Sequence, residues 1–131
     1  MGVDLVVYIR RDQVGKLIDI DSNYPLWDDF YALAKMPIRW GVFAEWLHLE
    51  TDEPITSKEL LKHLAMLNRK VENRELLVRL CSKYELLFAP DTAKVDKKKW
   101  VDIFEVESAV QKVVKENFGK ILSLIDRKSD S

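Results

Sequence analysis

Two leucine-rich stretches in tandem, "ITSKELLKHLAML" (residues 55–67) and "RELLVRLCSKYELLF" (74–88), constrain this chain more than anything else in it. Leu60, Leu61, Leu64 and Leu67 recur at helical spacing, and so do Leu76, Leu77, Leu80, Cys81 and Tyr84. Each stripe predicts an amphipathic helix whose apolar face needs a partner. Thr56 or Ser57 is a good N-cap, and Glu59 stands three residues after Thr56, which is capping-box spacing. "NRKVEN" breaks the pattern, and Glu72 or Asn73 can start the next helix. Upstream, "IRWGVFAEWLHLE" carries a third stripe through Ile38, Val42, Phe43, Trp46, Leu47 and Leu49. Downstream, "ELLFAP" is short and apolar and stops at Pro90, "DTAKVDKKK" is polar, and "WVDIFEV" alternates as a half-buried strand does.

The flanks add smaller elements. Residues 3–9, "VDLVVYI", and 14–20, "VGKLIDI", read as strands joined by "RRDQ", which predicts an N-terminal β-hairpin. "DSNYP" ends it, with Ser22 or Asn23 as a helix cap. In "LWDDFYALAK", Leu26, Phe30 and Leu33 share a face, and Met36-Pro37 interrupts it because proline disfavours helix in the residue before it. "ESAVQKVVKENFGKILSLIDRK" predicts a long C-terminal amphipathic helix. The expected fold is mostly α within an α+β class. A hairpin-and-helix extension (1–37) precedes a core (38–106) and a C-terminal helix (107–131), together forming one domain.

Charge is unevenly placed. The 131 residues carry a net charge of −1, but residues 1–55 hold −5, residues 56–100 hold +5 and residues 101–131 hold −1. A basic middle in an acidic remainder is what a localised anion-binding face produces. The single cysteine, Cys81, excludes an internal disulfide and a multi-cysteine zinc site. No stretch approaches the ~20 apolar residues of a membrane span, and the N-terminus has the wrong charge order for a secretory signal, so a cytoplasmic protein is expected. Two glutamines against 43 charged residues hint at a heat-adapted source.

From residue 38 to 106 the order helix, helix, break, helix, strand, polar loop, strand resembles a winged helix-turn-helix. The likeness is to that broad superfamily and covers about half the chain. It implies that "ENRELLVRLCSKY" is a recognition helix, "DTAKVDKKK" a wing, and "ELLFAP" and "WVDIFEV" the paired wing strands. Asn73, Arg74, Arg79 and Lys83 would then face a major groove. Arg69, Lys70, Lys94, Lys97, Lys98 and Lys99 would meet phosphates. The expected function is a transcriptional regulator binding double-stranded DNA, with no cofactor and no catalysis, as a homodimer paired through the C-terminal helix. The competing expectation is a protein-binding adaptor or subunit of a larger nucleoprotein assembly.

Other signals are weaker. Asp19 and Asp21, with Asp28-Asp29 beyond, resemble a metal-binding acid cluster but lack a third ligand at telling spacing. His48 and His63 stand on separate predicted helices. Cys81 lies on an apolar face, where a thiol acts as a small hydrophobe. No Gly-rich phosphate loop or nucleophile motif is present.

Overall fold

The computed structural model describes residues 3–18, 26–37, 39–107 and 112. Four strands, β1 (Leu5–Arg10), β2 (Ile55–Thr56), β3 (Leu86–Pro90) and β4 (Trp100–Asp102), form an antiparallel sheet in the order β2-β3-β1-β4. Among the described residues the helices α1 (Val14–Ile18), α2 (Leu26–Ala34), α3 (Trp40–Leu47), α4 (Ser57–Met66) and α5 (Arg74–Lys83) accompany it. The chain is therefore α+β. The expected C-terminal helix, and any dimer through it, lie outside the described residues past Glu107, as do Asp19 and Asp21.

Two expectations are corrected by the strand order. The strands on either side of the polar loop do not pair with each other as a wing hairpin. β1 lies between β3 and β4, with Val7 opposite Phe88 on one side and Ile9 opposite Val101 on the other. For the same reason there is no N-terminal hairpin. Both edges of β1 are taken, so "VGKLI" has no strand to join. It turns through a 3₁₀ segment (Arg11–Gln13) and forms α1, whose Leu17 is fully buried and whose Val14 packs beside it on the core. "VGKLI" satisfies a helical i, i+3 pattern as well as an alternating one, and tertiary placement selects between them.

One sheet face meets the helices. Leu5, Val7, Ile9, Leu86, Phe88, Val101 and Ile103 pack there against α3, α4 and α5. Phe43 of α3 stacks on Phe88 with ring centroids 4.9 Å apart. α4 begins on the expected capping box: the Glu59 amide donates to Thr56 Oγ1, and the Thr56 amide donates to Glu59 Oε1, each at 3.3 Å. Ser57, buried behind it, donates to the Tyr84 carbonyl at 2.9 Å and accepts from the Leu86 amide. That hydroxyl fastens the start of α4 to the start of β3, and losing it would leave buried backbone groups unpaired.

The opposite face has its own small apolar cluster. Tyr8, Leu87 and Ala89 are buried there, with Val6 and Trp100 beside them. Their cover is the loop between β3 and β4, which must cross β1 and lays Ala93 and Val95 on the cluster. We refer to residues 91–99 as the strap.

Candidate nucleic-acid interface

α5 has its apolar side, Leu77, Leu80 and Cys81, in the core. Burial pushes the Cys81 thiol pKa up to about 12, so it is protonated at neutral pH. The basic side chains on the rest of α5 are largely engaged. Arg79 and Lys83 both reach Asp29 of α2, Arg79 at Oδ1 and Lys83 at Oδ2, 2.8 Å away. Tyr84 donates its hydroxyl to the same Oδ2 at 2.9 Å. Asp29 is only 1% exposed. Burial alone would raise its pKa, but hydrogen bonds from Lys83, Arg79 and Tyr84 outweigh that and hold it below the ordinary aspartate value. The Tyr84 phenol is shifted up by burial and by the carboxylate beside it.

The exposed residues of the expected recognition helix are Glu72, Asn73, Arg74, Glu75, Ser82 and an Arg79 already paired. Arg79 and Lys83, which the winged-helix resemblance turned toward a groove, thus pair with Asp29 and join α2 to α5, with 49% and 32% of their side chains still exposed. Arg74 donates to the Leu64 carbonyl at 2.8 Å, joining the start of α5 to the last turn of α4. Arg69 Nη1 lies 3.4 Å from His48 Nδ1. Lys70 is exposed beside a hollow that Glu45 and Glu72 also line. Asn73 precedes α5 in the left-handed region (φ 59°) and makes no side-chain cap. Arg69, Lys70, Asn73 and Arg74 therefore gather at one end of α5, among acidic neighbours.

The strap is different: its backbone is tied down while most of its lysine side chains have no hydrogen bond or ion pair among the described residues. The Arg11 guanidinium donates to the Lys97 carbonyl at 2.6 Å and the Lys98 carbonyl at 3.2 Å, and the Arg11 amide donates to the Lys99 carbonyl at 2.8 Å. The Asp91 amide donates to the Asp4 carbonyl at 2.8 Å, fixing the other end. Asp96 accepts from the Lys98 amide at 2.9 Å. Of the four lysines, only Lys97 has a side-chain hydrogen bond among the described residues. Its ammonium donates to Tyr8 Oη at 3.1 Å and sits 4.5 Å from the centre of that ring. The bond to Tyr8 and nearby carboxylates hold Lys97 above the ordinary lysine value. Lys94, Lys98 and Lys99 are exposed, and none has an ion pair among the described residues. Lys99 lies 5.7 Å from the Trp100 ring centre.

The two basic groups stand on different elements. The strap lays Ala93 and Val95 on the sheet face turned away from the helices, and Arg69, Lys70, Asn73 and Arg74 stand at the start of α5. Sequence reasoning missed Arg11, whose position directly after a strand was the available signal, and it missed Asp29 as the receiver of α5's charges. Among the described residues no His/Cys/Asp/Glu group could hold a metal, and no helix is long and apolar enough to cross a membrane. His63 Nε2 contacts the Leu47 carbonyl. Compared with family models, curated proteins and solved structures, the chain matches none.

Proposed function

We propose that this is a small protein that binds double-stranded DNA, as a regulator of transcription, by laying the strap along the phosphate backbone. The observation that carries this reading is the combination at Lys97–Lys99: consecutive ammonium groups on a backbone immobilised by Arg11. A cationic loop that is already ordered loses little conformational entropy on binding. Phosphate contacts of this kind position a protein and carry no sequence information. The chain order α3–β2–α4–α5–β3–strap–β4 resembles that of a winged helix, with the difference that β1 lies between β3 and β4. The engagement of Arg79 and Lys83 leaves α5 a weaker reader of bases than a usual recognition helix, so the strap is assigned the larger share of affinity. Pairing of two copies through residues 107–131 belongs to the same proposal, and sedimentation equilibrium of the full chain tests it.

The deciding experiment is a binding titration on duplex DNA over a range of salt. Each phosphate neutralised contributes a slope of about −0.9 in log K against log salt. Changing Lys97, Lys98 and Lys99 together to alanine is expected to flatten the slope by about 3. Absence of binding even at low salt would refute the proposal.

A second reading, a protein-binding adaptor, is favoured by one feature. Phe104 is 60% exposed at the rim of a hollow lined also by Leu33, Met36, Pro37 and Ile103. Stoichiometric co-purification of a protein, abolished by Phe104→Ala, together with no retention on DNA, would select it.

A further inference from the structure

Beside the strap, between the end of β1 and the start of α4, lies a hollow of about 250 Å³. Arg10, Lys58, Glu85, Leu86, Lys99 and Trp100 line most of it. Its charges do not cancel. Three cations face one carboxylate, and that carboxylate is already held by Arg10, Nη1 to Glu85 Oε2 at 2.6 Å. Arg10 also pairs with Asp12 at 3.3 Å. Lys58 and Lys99 are left with no ion pair among the described residues. The hydroxyls of Thr56 and Ser57 at its edge are bonded internally, so neither is open to a ligand. What the hollow offers is a half-buried indole and two ammonium groups with no ion pair among the described residues.

That combination is selective for a particular chemistry. An inorganic anion would use the lysines and leave the indole idle, and an apolar ligand would leave the lysines uncompensated. A planar ring joined to a phosphate uses both. The Lys99 ammonium is 5.7 Å from the centre of the Trp100 ring, so ring and phosphate sites lie within the span of a single nucleotide. We infer that this hollow takes one nucleotide, its base against Trp100 and its phosphate on Lys58 and Lys99. The nucleotide is either free or an unpaired residue at the end of a duplex, and the strand form rests on the strap's binding duplex DNA.

Three probes distinguish the sources: a short blunt duplex, the same duplex with a single-stranded extension, and free adenosine monophosphate. Base stacking on an aromatic residue predicts that the extended duplex binds about 5-fold or more tighter than the blunt one. Trp100→Leu is expected to remove that difference. Lys58→Ala, at an exposed residue with no hydrogen bond or ion pair among the described residues and outside the strap, is expected to shrink it while leaving blunt-duplex affinity within about 2-fold, so a folding defect at Trp100 does not obscure the result. Competition by adenosine monophosphate for the increment alone would show that the free form enters the same hollow. Binding of adenosine monophosphate, lost in Lys58→Ala, with neither duplex retained would uphold the hollow and overturn the strap's role. Equal affinity for both duplexes, unaltered by Lys58→Ala and with no binding of adenosine monophosphate, would overturn the nucleotide site while leaving the strap's role intact.

Discussion

The strap and α5 carry similar numbers of basic residues and use them in opposite ways. In α5 the side chains are committed and the backbone is an ordinary helix: Arg79 and Lys83 converge on Asp29, and Arg74 reaches the Leu64 carbonyl. In the strap the backbone is committed, through Arg11 and Asp4, and three of four lysine side chains have no hydrogen-bonding partner among the described residues. The contrast teaches that a cation count in a sequence measures neither stability nor binding. A cation held by a buried carboxylate supports the fold. A cation on a fixed backbone with no partner is available to a ligand.

The sharpest way to break that contrast is at Asp29. Asp29→Ala leaves the Tyr84 hydroxyl, Arg79 and Lys83 without their shared acceptor, and denaturant unfolding is expected to show a loss of about 3 kcal/mol. The figure sits at the low end for a buried pair because Arg79 and Lys83 are 49% and 32% exposed and regain solvent. The effect has a pH signature. The Asp29 pKa is lower in the folded state than in the unfolded chain, so the unfolded chain binds that proton more readily. The stability it confers is complete above the ordinary aspartate pKa of about 3.9 and drains away as pH falls through the folded value. Asp29→Asn is expected to lack that acid-dependent component. A variant as stable as the parent at neutral pH would mean that the carboxylate does not hold α2 on α5.

Next in size is the strap's own charge. Replacing Lys97, Lys98 and Lys99 by alanine is expected to lower duplex affinity at low salt by on the order of 10- to 100-fold, with unfolding free energy lowered by only about 1 kcal/mol, the share of the Lys97 contact with Tyr8. An equal fall in stability would place these lysines with the α5 cations. Arg11→Ala comes third. It removes two hydrogen bonds from an exposed guanidinium, a cost of about 1 kcal/mol. Its clearer readout is faster hydrogen exchange at the Trp100 and Lys99 amides together with weaker DNA binding, although Lys97–Lys99 are all still present. Unchanged exchange would show that the strap holds its shape without Arg11.

The smallest effect is expected at the other basic group. Arg69→Ala with Lys70→Ala should alter stability by no more than about 0.5 kcal/mol and flatten the salt slope by less than 1, because Glu45 and Glu72 stand beside Lys70 and Arg69 lies against His48. A loss as large as that of the lysine triple would relocate the interface to the α4–α5 turn.

Much of the middle of the chain was legible beforehand. The stripes of α4 and α5 placed Leu60, Leu64, Leu77 and Leu80 in the core, where they are buried. Thr56 and Glu59 marked the start of α4, and Met36-Pro37 separated α2 from α3. The apolar run "LLFAP" became a strand buried along its whole length. The return strand was legible only in part. Val101 and Ile103 point inward as the alternation required, but pairing stops at Asp102 and Phe104 is left exposed. The candidate site was less legible. The lysine run stood out, but the role of Ala93 and Val95 before it as a cover over Tyr8 and Leu87 did not.

The sequence by itself determined where helices start, which of their faces are apolar and where strands break, because those properties arise from caps, prolines and periodicities within a few residues of one another. Only the tertiary structure decided that β1 would separate β3 from β4, and that separation forces the β3–β4 connection over the sheet and makes a strap of an expected hairpin tip. It also decided which charges are neutralised. Asp29 meets Arg79 across 50 residues, and Arg11 meets Lys97 across 86. No local pattern encodes such pairings, because they depend on the three-dimensional path that brings the partners together.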